Sequence, residues 1–355
     1  MILALLGLLG GLALLLVGAE LLVGSAARMA AALGIPPLVV GLTIVAFGTS
    51  APELAVSLHA ALEDSADLAL GNVLGSNIFN VLFILGLSAL VAPLDVPKQL
   101  VRLDIPVMIG VAVLAFVWSL DGRLERTEGG LLVLLLIVYV VWLVRVGRVD
   151  SSAAPSGAVT GRNGRDVLLL VSGLLLLTVG ARLLVDSAVA IATGLGVGAA
   201  VIGVTIVAAG TSLPEIATSV LAARRGHREI ALGNIVGSNT FNILSVLGLS
   251  ALVAPTGVAV TGDLLKTGFP VMLAVNIALL PVCASRSSIA RWEGVVFLAG
   301  YVGFTTYTVA AAIEHPALPL LDRIALWGVL PGALVGLIVD IAIRRLRRRA
   351  PVNGR

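Results

Sequence analysis

Two short segments carry residue types able to do chemistry: GTSAPE, Gly48 to Glu53, and GTSLPE, Gly210 to Glu215. Each sets a carboxylate and a proline inside an apolar run of membrane-spanning length. A charge is costly at that depth, and a proline removes one donor from the helical ladder. Pro52 has no N–H for the carbonyl of Gly48, and Pro214 has none for that of Gly210. Carbonyls freed at mid-membrane persist where they line a cavity or bind something. Gly48 and Gly210 are expected to permit the backbone distortion. Thr49 and Ser50 lie three to four residues before Glu53, so their hydroxyls share a helical face with its carboxylate. Thr211, Ser212 and Glu215 repeat the arrangement.

A second pair of segments follows: GNVLGSNIFN, Gly71 to Asn80, and GNIVGSNTFN, Gly233 to Asn242. They add Asn72, Ser76, Asn77 and Asn80, then Asn234, Ser238, Asn239 and Asn242. The combined donor set is two carboxylates, hydroxyls, amide oxygens and freed carbonyls. It holds no imidazole, thiolate or basic group. Hard cations such as Ca²⁺ and Na⁺ want such oxygens, and soft transition metals do not. Two glutamates neutralise one divalent ion, which spares lipid a net charge.

These residues must be positioned by membrane helices. The chain has 355 residues, 59% hydrophobic and 12% charged, with mean hydropathy +1.10, far too apolar for a soluble domain. Apolar runs predict helices near 2–26, 37–61, 68–91, 104–120 and 129–147, then near 167–194, 199–223, 230–254, 267–284, 289–313 and 317–343. The fold class expected is an all-α polytopic membrane protein. The organisation expected is a first repeat over 1–147, a cytoplasmic linker over 148–166, a second repeat over 167–313, and an extra helix with a basic tail over 314–355. The N-terminus runs into a long apolar stretch with no basic segment before it, as a first membrane helix does. Cys283 is the single cysteine, so neither an intrachain disulfide nor a Cys-based metal cage is expected.

With the N-terminus outside, about 18 of the 23 basic residues fall in inside loops. The eleventh helix then brings the RRLRRR tail, Arg344 to Arg349, to the inside. The net charge of +3 reads as topology, not as nucleic-acid binding. Trp118, Trp142 and Trp292 fall near helix ends, as interfacial anchors; Trp327 does not fit that pattern.

A shift of about 162 residues superposes Gly41–Pro93 on Gly203–Pro255, with roughly 33 of about 53 positions identical. Five helices per unit is an odd number, so consecutive copies cross the membrane in opposite senses. An inverted 5+5 repeat belongs to secondary transporters, which place substrate near the midplane at the repeat interface. The positions retained in both copies are polar, which packing alone does not require.

At these paired segments the chain resembles the sodium/calcium exchanger branch of the cation/calcium antiporter superfamily, in its prokaryotic type. GTSxPE and GNxxGSNxxN are that family's alpha repeats, and the likeness covers both repeats and the ten-helix core. The resemblance implies that Glu53 and Glu215 bind Ca²⁺, helped by carbonyls near Thr49 and Thr211. It implies Na⁺ ligands from Ala46, Ser50 and Ser76 and from Ala208, Ser212 and Ser238, with Asn80 and Asn242 completing the centre. Many members carry an aspartate at one of these two asparagines, and this chain has asparagine in both. Helices 1 and 6 are the sliding elements the family suggests. The linker has no room for the regulatory calcium-binding domain of animal exchangers.

The function expected is Na⁺/Ca²⁺ antiport by alternating access. The alternative is Ca²⁺/H⁺ antiport through the same two glutamates. No Walker-type loop supports an ATP-driven pump. An intramembrane serine hydrolase using Ser50 or Ser212 lacks a suitably placed histidine. A passive channel differs in lacking coupled counterflow. No resident cofactor is expected, and the partners expected are the lipid bilayer and the transported ions, with no nucleic acid and no protein partner inferable. The compact form suggests a prokaryotic plasma (inner) membrane. Among other charges, Arg182 and Asp186 are spaced to pair locally, and Glu20 and Arg182 occupy equivalent repeat positions with opposite sign. His59 reads as interfacial, and Asp104, Glu293 and Asp340 as helix-end contacts.

Overall fold

Lipid leaves a backbone N–H or C=O no partner outside its own helix, so long apolar runs fold as helices. The computed structural model describes residues 2–63, 65–150, 163–286, 288–313, 315–316 and 318. The expected helix near 317–343, Trp327, Asp340 and the 344–349 tail lie outside the described residues. Among the described residues, eight helices are long and apolar enough to cross a membrane, or nine with one bent pair counted as a span.

In chain order, α1 is Ile2–Leu33, and a broken span follows: α2 Pro37–Val40, a π segment Gly41–Val45, α3 Ala46–Thr49 and α4 Ala51–Leu62. The next span is α5 Ala66–Phe79, a π segment Asn80–Leu85 and α6 Gly86–Val91. A π segment Leu100–Asp104 leads into α7 Ile105–Trp118, and α8 is Arg126–Asp150. The second half repeats this order. α9 is Asn163–Gly194; α10 Ala199–Ile202, π Gly203–Val207, α11 Ala208–Gly210 and α12 Leu213–Arg224 form the second broken span. Then come α13 Arg228–Phe241, π Asn242–Leu247 and α14 Gly248–Val253; π Leu264–Gly268 and α15 Phe269–Arg286; and α16 Arg291–Ala312.

Three departures from expectation stand out. First, α8 reaches Asp150 and α9 begins at Asn163, so both helices run into the stretch expected as linker. Second, π segments recur at matching places in the two halves, where one extra residue per turn locally widens the helix. Third, the architecture is all-α except for two short antiparallel ladders. Strand β1 (Leu94–Asp95) pairs with β4 (Ser288–Ile289), and β2 (Arg123–Leu124) with β3 (Val258–Ala259), each joining one half to the other.

α1 and α9 lie antiparallel in backbone contact. A Cβ on Gly11 would stand 2.8 Å from the carbonyl oxygen of Gly180, and one on Gly18 at 2.8 Å from that of Gly173. Only glycine lets two helices meet so closely. Arg28 on α1 pairs with Asp166 on α9 at 2.7 Å, fastening one end of the seam. The outer side of α1 presents Leu3, Leu6, Leu9 and Leu16, all exposed, as a lipid-facing surface. By contrast α13 and its π extension are almost wholly buried, at the centre of the bundle.

Candidate cation site

The first broken span bends by 46° between α3 and α4. The break falls at Ser50, whose φ of −80° and ψ of 7° leave the helical region. Pro52 stands in the first turn of α4, where its missing N–H costs least. Ser212 has nearly the same geometry, φ −89° and ψ 11°, with Pro214 in the first turn of α12. The distortion is carried by the two serines. Gly48 and Gly210 are not among the positive-φ glycines, contrary to the expectation that they permit the distortion. Their missing side chains instead make room for Leu174 and Val185, both on α9.

Glu53 and Glu215 sit in the first turns of α4 and α12 and are each 1% exposed. The two halves cross-connect at this point. Ser212 Oγ donates to Glu53 Oε1 at 2.9 Å, and Ser50 Oγ donates to Glu215 Oε1 at 3.2 Å. Ser212 Oγ also lies 3.4 Å from Ser76 Oγ. Asn80 and Asn242 each open a π segment and are each 1% exposed. Thr49 Oγ1 donates to Asn234 Oδ1 at 3.0 Å, and Asn234 Nδ2 donates to Ser219 Oγ at 2.9 Å. Asn72 Nδ2 donates to Ser57 Oγ at 3.0 Å and to the Glu53 carbonyl at 3.3 Å.

The remaining oxygens are informative. Glu53 Oε2, Glu215 Oε2, Asn80 Oδ1, Asn242 Oδ1, Thr211 Oγ1 and Ser238 Oγ are buried and have no hydrogen-bond partner. A buried oxygen without a partner costs about 1–3 kcal/mol, more when charged. These six oxygens come from both halves and are of the hard type that Ca²⁺ and Na⁺ take, although the Ser88, Thr218 and Ser250 hydroxyls are buried and unpartnered as well. The Ala46 carbonyl already accepts the Ser50 N–H at 3.0 Å and the Thr49 hydroxyl at 3.4 Å. Only the helix containing Ala208 is described, not that residue's surroundings. Among the described residues no group of three or more His, Cys, Asp and Glu is placed to hold a metal ion.

Other charged residues lie apart from the site. His59 faces Glu63 at 3.4 Å and both are exposed, as an interfacial histidine is. Arg182 and Asp186 are exposed and do not pair; instead Glu20 on α1 pairs with Arg225, just beyond α12, at 2.7 Å. Asp104 lies near a helix start, as expected, but is fully buried in the protein, accepting from Tyr139 Oη at 3.4 Å and Gln99 Nε2 at 3.3 Å. Glu293 accepts the Ala290 N–H at 2.7 Å and so caps α16. Sequence reasoning undervalued Asn77 and Asn239, which hold the two central amides; their shared place in both GNxxGSNxxN segments was the available signal.

Membrane-length helices, with two broken spans meeting around a pair of buried carboxylates, define a secondary transporter. Residues 3–145 and 166–310 match the family described as sodium/calcium exchanger protein, and the chain belongs to that family. It is 39% identical to the inner membrane protein YrbG of Escherichia coli over 315 residues, which is 85% of this chain and 95% of that protein. It is 36% identical to the sodium/calcium exchanger MaX1 of Methanosarcina acetivorans, covering 84% of this chain and 96% of the other. The solved structure of the sodium-calcium exchanger NCX_Mj superposes with a TM-score of 0.75 at 34% identity, covering 88% of this chain and 98% of that one. The chain is therefore an integral membrane cation antiporter, not an enzyme.

Proposed function

We propose that this chain exchanges Na⁺ for Ca²⁺ by alternating access at the site between the broken spans. The observation that carries the proposal is the set of six buried, unpartnered oxygens contributed by both halves. Glu53 and Glu215 hold Ca²⁺, with the Asn80 and Asn242 amide oxygens and carbonyls near Thr49 and Thr211 beside them. Ser50, Ser76, Ser212 and Ser238, with the Ala46 and Ala208 carbonyls, serve Na⁺. Shared oxygens make the two ions compete, and competition couples their fluxes without ATP. The abundance of hydroxyls around the glutamates favours Na⁺ over H⁺ as the driving ion.

The repeats proposed are 1–147 and 167–313. The distribution of basic residues supports an N-terminus outside, a cytoplasmic C-terminus and a prokaryotic plasma membrane. In that orientation α5 begins at the outer face, and the open space beside its Gly71 and Gly75 supports an outward-open arrangement.

In proteoliposomes at matched pH, an outward-directed Na⁺ gradient should drive Ca²⁺ uptake. Uptake that ignores Na⁺ and follows a proton gradient would replace Na⁺/Ca²⁺ exchange with Ca²⁺/H⁺ exchange. Uncoupled flux of either ion would replace it with a channel.

A further inference from the structure

Asn80 and Asn242 present unpartnered amide oxygens, but a primary amide has two ends of nearly equal shape. Turned over, each would offer the site two N–H donors, which repel a cation. Something must fix the orientation. Asn80 Nδ2 donates to Asn239 Oδ1 at 3.0 Å, and Asn242 Nδ2 donates to Asn77 Oδ1 at 3.0 Å. Each central amide thus gives its nitrogen to an asparagine of the opposite half, and its oxygen is left for the ion.

The two supporting asparagines are themselves held the right way round. Asn77 Nδ2 donates to the Asn239 main-chain carbonyl at 3.3 Å and lies 3.5 Å from Met272 Sδ. Asn239 Nδ2 donates to the Asn77 main-chain carbonyl at 3.4 Å and to Asn276 Oδ1 at 3.3 Å. A main-chain carbonyl can only accept, so each relay has a fixed polarity from backbone to ion. Both asparagines are fully buried, where a wrongly turned amide has no water to fall back on.

We infer that Asn77 and Asn239 are positioning residues: each turns the other half's central amide so that its oxygen faces the transported cation. The inference rests on the proposed reading of the site. It makes the two halves interdependent beyond their glutamates, because each repeat orients a ligand that belongs to the other. The simpler role, stitching α5 to α13, predicts a different mutational pattern.

The test is a double-mutant cycle read by Ca²⁺ titration calorimetry on the purified full chain. Asn239→Ala removes the acceptor and should weaken Ca²⁺ binding about tenfold, the upper end of what one hydrogen bond between neutral groups contributes. In the Asn80→Asp background either carboxylate oxygen can face the ion, so orientation no longer matters. There, Asn239→Ala should cost less than about twofold. Equal losses in both backgrounds would overturn the inference and leave a stitching role. Should Asn239→Ala not fold, Asn77→Ala with Asn242→Asp provides the same cycle from the opposite half. Absence of Ca²⁺ binding in the unmutated chain would instead count against the functional reading itself.

Discussion

Gly233 and Gly237 on α13 press against the first broken span, whereas their repeat equivalents on α5, Gly71 and Gly75, face open space. A Cβ on Gly233 would meet the Leu38 carbonyl oxygen at 2.7 Å, and one on Gly237 would meet Ala46 Cβ at 2.7 Å. Nothing lies within 4 Å of a Cβ on Gly71 or Gly75. The polar contacts follow the same division. Thr49 reaches Asn234 Oδ1 at 3.0 Å while Thr211 Oγ1 is unpartnered, although Asn72 and Asn234 alike donate to a serine, Ser57 and Ser219. Asn234 is fully buried and Asn72 is half-buried. Near-identical sequences therefore stand in two arrangements, one closed and one open. In an inverted repeat, exchanging the two arrangements turns a site that opens to one face into one that opens to the other.

This comparison is sharpened most by filling the open side. Gly75→Leu fits the arrangement described, so the variant should insert and bind Ca²⁺ from the open face. It should slow exchange by about tenfold or more, because closure of the second broken span onto α5 would meet the new side chain. Parallel measurement of Ca²⁺ binding and uptake distinguishes this from misfolding. Normal uptake by Gly75→Leu would show that α5 is never the closing surface.

A smaller effect is expected at the edge of the closed side. Glu20 pairs with Arg225 at 2.7 Å, tying α1 to the end of α12. The repeat equivalents are Arg182 and Glu63, with the charges exchanged, and Glu63 instead faces His59. Both members of the Glu20–Arg225 pair are about half exposed, at 49% and 58% of their side-chain surface, so solvent screens the bond. Glu20→Gln should change the uptake rate by no more than about fivefold, and added salt should shrink the difference. A loss far beyond that would place Glu20 in the ion pathway.

Much of this was legible in the sequence because polar residues in lipid must be explained. The GTSxPE and GNxxGSNxxN segments named the oxygens, and their recurrence 162 residues apart implied the inverted architecture. The π segments were not legible: an extra residue in a helical turn leaves the apolar pattern almost unchanged, although Asn80 and Asn242 begin two of them. The role of Gly48 was misread because its neighbour Leu174 is remote in sequence. The burial of Asp104 was not legible, because hydropathy cannot foresee Tyr139 turning inward to meet it. The difference between Gly71 and Gly233 lay beyond sequence altogether, since it belongs to a conformation and not to a residue.

On the proposed reading, both halves build one cation site shared by Na⁺ and Ca²⁺. Equilibrium Ca²⁺ binding to the purified chain, with Na⁺ as competitor, tests it most directly. The chain should bind Ca²⁺ at a single site, Na⁺ should displace it, and Glu53→Gln or Glu215→Gln alone should abolish binding while the protein still inserts. Ca²⁺ binding that survives either substitution, or that is indifferent to Na⁺, would contradict the account.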